Sequence, residues 1–351
     1  MTIIKILAAL IIFGIIILVH EFGHFIAAKA CGVCVLEFSL GMGPRLFTIH
    51  GKETDYSLKL LPLGGSCQMK GEMDDDPEEA PDPDSFQNKA PWQRFLIIAA
   101  GPAFNFILSF IVAIILCTSI GSDLPVVDSV ISGKPAEIAG ILPGDRITKI
   151  NSRNIKLYRE LILYNSLHEG QQQEITVLRN GQKYKFSLVP EYDNQYGKYM
   201  IGISSSGNYV FPQNVFETLK YSYYELRYNV LLALDSLIYL INGHFSPDNV
   251  MGPVGIISNI SETVEETIPY GIKILLLTVA DYILLFGTNV GVFNLIPFPA
   301  LDGGRLLLII IEIIIGKPVN RKVENYINFI GFALLMVFML IISINDIGRL
   351  L

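Results

Sequence analysis

ILVHEFGHFIAAK, residues 17–29, sets His20, Glu21 and His24 into an otherwise uncharged run that starts at Ile6 and resumes from Phe25 to Ala28. The run is about the length a bilayer span requires. A charge at the centre of such a span costs at least about 2.5–3.5 kcal/mol. Three ionisable residues in five positions therefore need a joint purpose, and a pair of packing histidines would not supply one.

Residues i and i+4 share a helix face. His20 and His24 can grip one ion with neutral imidazoles, and Glu21 lies beside them, placed to take a proton from a bound water. A catalytic zinc takes three protein ligands and keeps one position open. Asp281, Asp302, Glu312, His244 and Asp346 compete for the third place. Asp302 stands out because it follows Pro297 and Pro299 and precedes Gly303 and Gly304. The prolines remove backbone donors and the glycines permit unusual angles. Irregular backbone at membrane depth survives only where it is buried in protein or lines a wet cavity.

The 351-residue chain is 51% hydrophobic and 17% charged, against roughly 25% charged in soluble domains. That balance points to a membrane protein. A net charge of -7 without a basic stripe argues against nucleic acid as a partner. The cysteines at 31, 34, 67 and 117 are too scattered for a disulfide framework, and Cys31–Cys34 has no second pair with which to form a zinc ribbon.

Further uncharged runs cover residues 95–121 and 326–344, and the run at 274–301 carries only Asp281. LLLIIIEIII at 306–315 is too short to span and suits a half-helix; residues 229–243 read as a short amphipathic segment. A signal peptide over the first run is disfavoured, since Lys5 alone would be its positive region. Lys29, Arg45, Lys89, Arg94, Arg305, Lys317, Arg321 and Lys322 group on one side of the membrane; Lys5, Lys134, Lys273 and Arg349 group on the other. The positive-inside rule makes the first group cytoplasmic, with both termini and residues 122–270 outside.

Residues 56–72 alternate like a strand pair with a glycine turn, and the acidic run at 72–84 reads as a solvated linker rather than a metal-collecting loop. Residues 122–205 predict a small β-rich binding module. It has a brief helix at Pro135 to Ala139, a turn at Gly144-Asp145, and a hairpin with Asn180-Gly181 at its tip.

HEFGH at 20–24 and NLIPFPALDGG at 294–304, in a first and a third span, closely resemble the site-2 protease family of intramembrane zinc metalloproteases. The nearest likeness is to its bacterial regulator-of-sigma-E protease branch, and it covers nearly the whole chain. EFSLGMGPRLF at 37–47 and LPLGGSCQMKGE at 61–72 resemble the family's cytoplasmic segment and membrane-associated β-loop, with Cys67 where an aromatic or aliphatic residue is expected. GPAFN at 101–105 and MGPVGI at 251–256 match smaller signatures. The resemblance implies one zinc ion per chain on His20, His24 and Asp302, with Glu21 as general base. It implies that Asn294, with Gly64 and Gly65 of the β-loop, positions substrate; Asn105 has a weaker case. It also implies a PDZ-like domain on the PAEIAGILPGDRI stretch at 135–147, whose peptide loop would hold Tyr199, Ile201, Gly202 and Ile203.

The expected fold is a polytopic α-helical membrane protein of about four transmembrane helices, with a membrane-associated β-loop and an inserted extracytoplasmic β-rich PDZ-like domain. The expected segments are a first helix (1–30), a cytoplasmic segment (31–94), a second helix (95–121), the PDZ-like domain (122–205), an amphipathic linker (206–270), a third helix (271–316) and a fourth (317–351). The expected partners are the lipid bilayer and single-span membrane proteins pre-cut by another protease, such as anti-sigma factors or signal-peptide remnants. The single PDZ-like unit and the leaderless start fit a bacterial inner membrane, with the active site toward the cytoplasm. A scaffold with a dead site would have lost a ligand or the base, and a metal transporter would spread its polar residues over several spans.

Overall fold

The computed structural model describes residues 2–72, 82–205, 209–243, 250–318 and 320–350. His244 and most of the acidic run at 72–84 lie outside these residues. The chain divides into two compact units, one of residues 1–112 and 240–351, the other of residues 113–239.

Among the described residues four helices are long and apolar enough to cross a membrane: Leu7–Ala30, Pro91–Ile120, Ile272–Asn294 and Lys322–Arg349. They lie within α1 (Thr2–Ala30), α2 (Pro91–Ile120), α7 (Ile272–Asn294) and α9 (Arg321–Leu350). Between lipid-solvated helices, close packing depends on small residues. A Cβ on Gly23 of α1 would lie 2.4 Å from the Ala100 carbonyl oxygen of α2, and one on Gly287 of α7 would lie 2.9 Å from Ser109 Oγ of α2. Gly291 likewise faces the Phe106 ring. Gly23 lets α1 and α2 meet almost backbone to backbone, and Gly287 and Gly291 make room on α7 for side chains of α2.

The third segment, 271–316, holds two helices, parted at the prolines expected to break it, and the expected half-helix at 306–315 lies in the second. α7 ends at Asn294 and α8 runs from Asp302 to Ile315. Pro297 and Pro299 lack the N–H a continuing helix needs. The break folds tightly onto the start of α8: a Cβ on Gly303 would meet the Ile296 carbonyl oxygen at 2.2 Å, and one on Gly304 the Phe298 carbonyl oxygen at 2.4 Å. Only glycine fits either place.

The hairpin also differs from expectation. Its strands are β1 (Val35–His50) and β2 (Asp55–Met69), so the turn falls at 51–54. Gly64 and Gly65 lie inside β2 rather than at a turn, and Gly64 adopts a positive φ of 79°. The pairing runs antiparallel from His50–Asp55 to Val35–Met69 with several register shifts. Met42, Leu46, Phe47, Ile49, Leu58, Leu60 and Leu61 stay exposed on it, and burial alternates along β1 only as far as Gly41. Cys67 packs in the core beneath it with Val35, Met69, Ile97, Ile98 and Leu306.

Helix α6 (Pro253–Thr267) belongs to the first unit and packs on α1, α7 and α9. Its N-terminus is held by Asp346 of α9, whose carboxylate accepts from the Gly252 and Gly255 amides at 3.1 and 2.8 Å. Asp346 is therefore a helix cap and not a metal ligand.

The second unit holds β3 (Ser129–Val130), α3 (Pro135–Ala139), β4 (Arg146–Ile150), β5 (Arg153–Asn154), α4 (Tyr158–Leu167), β6 (Gln173–Arg179), β7 (Gln182–Leu188), β8 (Glu191–Asp193), β9 (Lys198–Met200), β10 (Ile203–Ser204) and most of α5 (Val215–Ile241). The main sheet has the order β5-β4-β6-β7, and β10 pairs with β3. Ile147, Ile150, Ile175, Val177 and Leu161 fill its core. The expected helix at 135–139 and the hairpin tip at Asn180-Gly181 are both present. α5 begins well before the expected 229, because polar residues on one face mask its apolar stripe.

Asp145, 1% exposed, joins β4 to this sheet. Its carboxylate accepts from Arg179 Nε and Nη2, each at 2.7 Å, and from the Leu142 amide at 2.9 Å. Burial works to raise its pKa, but these bonds outweigh burial and hold it below the ordinary 3.8. A lowered carboxylate pKa contributes stability that is complete above the unfolded value and fades as pH falls through the folded one. Asp145→Asn removes the buried carboxylate that pairs with the partly exposed Arg179 and should destabilise the unit by about 3 kcal/mol. Hydrogen exchange on the full chain in detergent should show β4 and β6 amides exchanging roughly a hundredfold faster. The deficit should be present at pH 7 and shrink below pH 3.8. Unchanged protection at pH 7 would contradict this account.

Candidate metal centre

His20 and His24 stand one turn apart on α1, and their Nε2 atoms lie 3.2 Å from each other. Asp302, the first residue of α8, brings Oδ2 to 3.1 Å from His20 Nε2 and 3.4 Å from His24 Nε2. Ligand atoms about 2.0–2.1 Å from a tetrahedral zinc lie roughly 3.3 Å apart. The three atoms thus already form one face of such a tetrahedron. Asp302 Oδ2 is buried with no hydrogen-bond donor aligned on it, a state that a cation relieves. Among the described residues this is the one group of three His, Cys, Asp or Glu side chains whose ligand atoms converge within 4.8 Å.

The other contenders are engaged elsewhere or lie apart. Glu312 of α8 accepts from Arg94 Nη2 of α2 at 2.5 Å. Asp346 caps α6. Asp281 sits in α7, well before the helix break.

Helix α2 supplies a face that sequence reading undervalued. The Ile97 carbonyl accepts from His24 Nδ1 at 2.9 Å. That bond places the ring proton on Nδ1 and leaves Nε2 free to coordinate. One turn on, a Cβ on Gly101 would lie 2.3 Å from His24 Nε2 and 2.9 Å from His20 Cε1. Both rings therefore occupy the space that glycine vacates. One further turn on, fully buried Asn105 faces His20 Nδ1 at 3.1 Å. The spacing 97, 101, 105 is one stripe of α2, legible in GPAFN only once its partner helix is known.

A cavity of about 450 Å³ opens on this cluster. Glu21, Gly65, Cys67 and Asn294 line it beside the three candidate ligands. A Cβ on Gly65 would sit 2.8 Å from Glu21 Cγ, so β2 passes directly over the carboxylate side chain. Glu37 and Lys59 of the hairpin, with Arg305 and Glu72, make a charged wall. Arg305 Nη1 donates to Glu72 at 2.6 Å. Burial would raise the Glu37 carboxyl, yet hydrogen bonds from Arg45, Ser57 and Lys59 hold it at about 2. The wall is internally paired, Glu37 with Arg45 and Lys59 and Glu72 with Arg305.

Asn294 lies at the end of α7 in the cavity wall. Gly64, expected beside Gly65 at the site, does not line the cavity; a Cβ there would touch the Met42 side chain at 3.1 Å. Tyr199, Ile201 and Ile203 lie in the second unit, where they line a smaller groove with Tyr158, Leu161 and Asn165 of α4. Gly202 supports that groove without lining it. Its φ is 81°, and a Cβ there would strike Lys134. The Ile201 and Gly202 carbonyls accept from the Ala136 and Ile131 amides.

The model of peptidase family M50 matches residues 8–338. A protein of Clostridium acetobutylicum is 35% identical over 347 residues, covering 99% of this chain and 98% of that one. Zinc metalloprotease RasP of Bacillus licheniformis is 31% identical over 424 residues, covering 98% and 99%. RasP of Geobacillus kaustophilus is 30% identical with similar coverage. The chain belongs to peptidase family M50 and is a membrane metalloprotease with zinc as its cofactor.

The tight seat of the two rings yields a test. Gly101→Ala should abolish stoichiometric zinc binding, measured by metal analysis after purification in detergent. Gly14→Ala, on α1 with the two histidines and with nothing within 4 Å of the added carbon, should keep one zinc per chain. Full zinc in Gly101→Ala would show that the rings do not rest where α2 confines them.

Proposed function

We propose that this member of peptidase family M50 hydrolyses peptide bonds within or near the membrane-spanning segments of single-span membrane proteins. The observation that carries the reading is the convergence of His20, His24 and Asp302 at one end of a cavity that also holds Glu21. His20, His24 and Asp302 act as the zinc ligands. Zinc held there supplies Lewis acidity and brings the pKa of a coordinated water to about 7.

Glu21 is the general base. Its place one residue after His20 on the same helix, under β2, supports that role. It takes the proton from the attacking water and returns it to the leaving amine. Asn294 donates a side-chain hydrogen bond to the carbonyl oxygen as charge develops there. No covalent acyl-enzyme is required.

A scissile bond inside a helix is inaccessible, so the substrate must be unwound. Strand β2 pairs with β1 alone among the described strands, which leaves an edge where an extended segment can add. Gly65 keeps β2 free of a side chain beside Glu21, and Gly64 precedes it at a positive φ. Substrates are short remnants left by an earlier cut, such as anti-sigma factors or signal-peptide fragments. The 122–205 region acts as a PDZ-like module, and the groove at Tyr199, Ile201 and Ile203 takes an extended peptide or excludes bulky substrates. The lysine and arginine distribution supports a bacterial plasma-membrane location, with the cavity toward the cytoplasm and the PDZ-like region and both termini outside.

Cleavage of a tagged single-span substrate in detergent tests this reading. Glu21→Gln should keep one zinc per chain and lose activity by about 10²–10⁴-fold. Asn294→Ala should keep zinc and lose about 10²-fold in kcat. Cleavage at wild-type rate by Glu21→Gln would remove the base from the mechanism.

A further inference from the structure

The two imidazoles are held unequally, and the difference points to a positioning residue. His24 Nδ1 faces a backbone carbonyl, which can only accept. His20 Nδ1 faces the Asn105 side-chain amide, whose two ends do opposite things. With Nδ2 turned to the ring at 3.1 Å, the amide donates, the ring proton sits on Nε2, and Nε2 cannot coordinate. In that orientation Asn105 Oδ1 is also buried with no donor. Half a turn of the amide exchanges two atoms of nearly equal size. Oδ1 then accepts from Nδ1–H, its own lone pair is satisfied, and His20 Nε2 is left bare toward Asp302 and His24.

We infer that Asn105 is a positioning residue that accepts a hydrogen bond from His20 Nδ1–H and thereby holds His20 in its metal-ligating tautomer. Asn105 is 0% exposed, so no solvent water can take over the task. Its neighbours on α2 narrow its role to this one. Ile97 serves His24, Gly101 vacates the space for both rings, and Asn105 completes the stripe. Partners of ligand imidazoles orient the ring and raise its basicity, and their loss typically lowers metal affinity 10–100-fold.

The inference rests on the proposed ligand set, and the test separates the two. Zinc affinity is measured by chelator competition on the full chain in detergent for His20→Ala, Asn105→Leu and Asn105→Asp. Asn105→Leu matches the shape and removes the acceptor; Asn105→Asp keeps an acceptor that cannot donate. The expected result is a 10–100-fold loss for Asn105→Leu, affinity within about threefold of wild type for Asn105→Asp, and a larger loss for His20→Ala. Thermal unfolding in excess chelator should be alike for wild type and Asn105→Leu. If Asn105→Leu does not accumulate, Asn105→Ala makes the same comparison. Equal losses in Asn105→Leu and Asn105→Asp would overturn the inference in favour of plain packing. Unchanged affinity in Asn105→Leu beside a loss in His20→Ala would overturn it while sparing the ligand set. Unchanged affinity in His20→Ala would overturn both.

Discussion

Two imidazoles and a carboxylate meeting at membrane depth are the constraint on which the first unit is built. Their three ligand atoms lie 3.1, 3.2 and 3.4 Å apart. In a dry interior such a cluster is costly unless each lone pair and proton has a partner. The rest of the unit supplies those partners and the room for them. α1 provides the histidines, the broken segment between α7 and α8 provides Asp302, and α2 provides the outer contacts that orient the rings.

Bringing these pieces within reach depends on backbone that carries no side chain. Gly23 lets α1 touch α2, Gly101 gives up the volume the rings occupy, and Gly303 and Gly304 let α8 start against the segment that precedes it. Pro297 and Pro299 make the break, and Ala300, at a positive φ of 72°, lies inside it. Such a backbone conformation is sparsely populated for a residue with a side chain. It survives here because α9 closes over it, with Gly331 against Pro299 and Asn328 accepting from the Ala300 amide. The result is a stiff cradle, which suits a reaction that relies on placement and fixed charge.

Much of this was legible in the residues, and the failures have physical reasons. HEFGH could be read because ionisable groups in a lipid span demand an explanation. Asp302 could be chosen over Asp281, Glu312, His244 and Asp346 because only its neighbours break a helix. The first strand of the hairpin escaped notice because Gly41, Gly43 and Pro44, residues that usually mark turns, interrupt its alternation. The anchoring of α6 by Asp346 could not be read, since residues 252 and 346 meet only in space. The stripe Ile97, Gly101, Asn105 went unread for the same kind of reason. Its meaning lies in the imidazoles of another helix, and one of its three members acts through a backbone carbonyl that any residue would provide.

X-ray absorption at the zinc edge of the purified wild-type protein tests the central claim most directly, because it reads the ligand set without a substrate. The account predicts two imidazoles and oxygen donors at about 2.0–2.1 Å, with no sulfur in the shell. A sulfur scatterer at about 2.3 Å would contradict it, for it would move the metal to Cys67 or to the Cys31–Cys34 pair. The cluster of His20, His24 and Asp302 would then need another explanation.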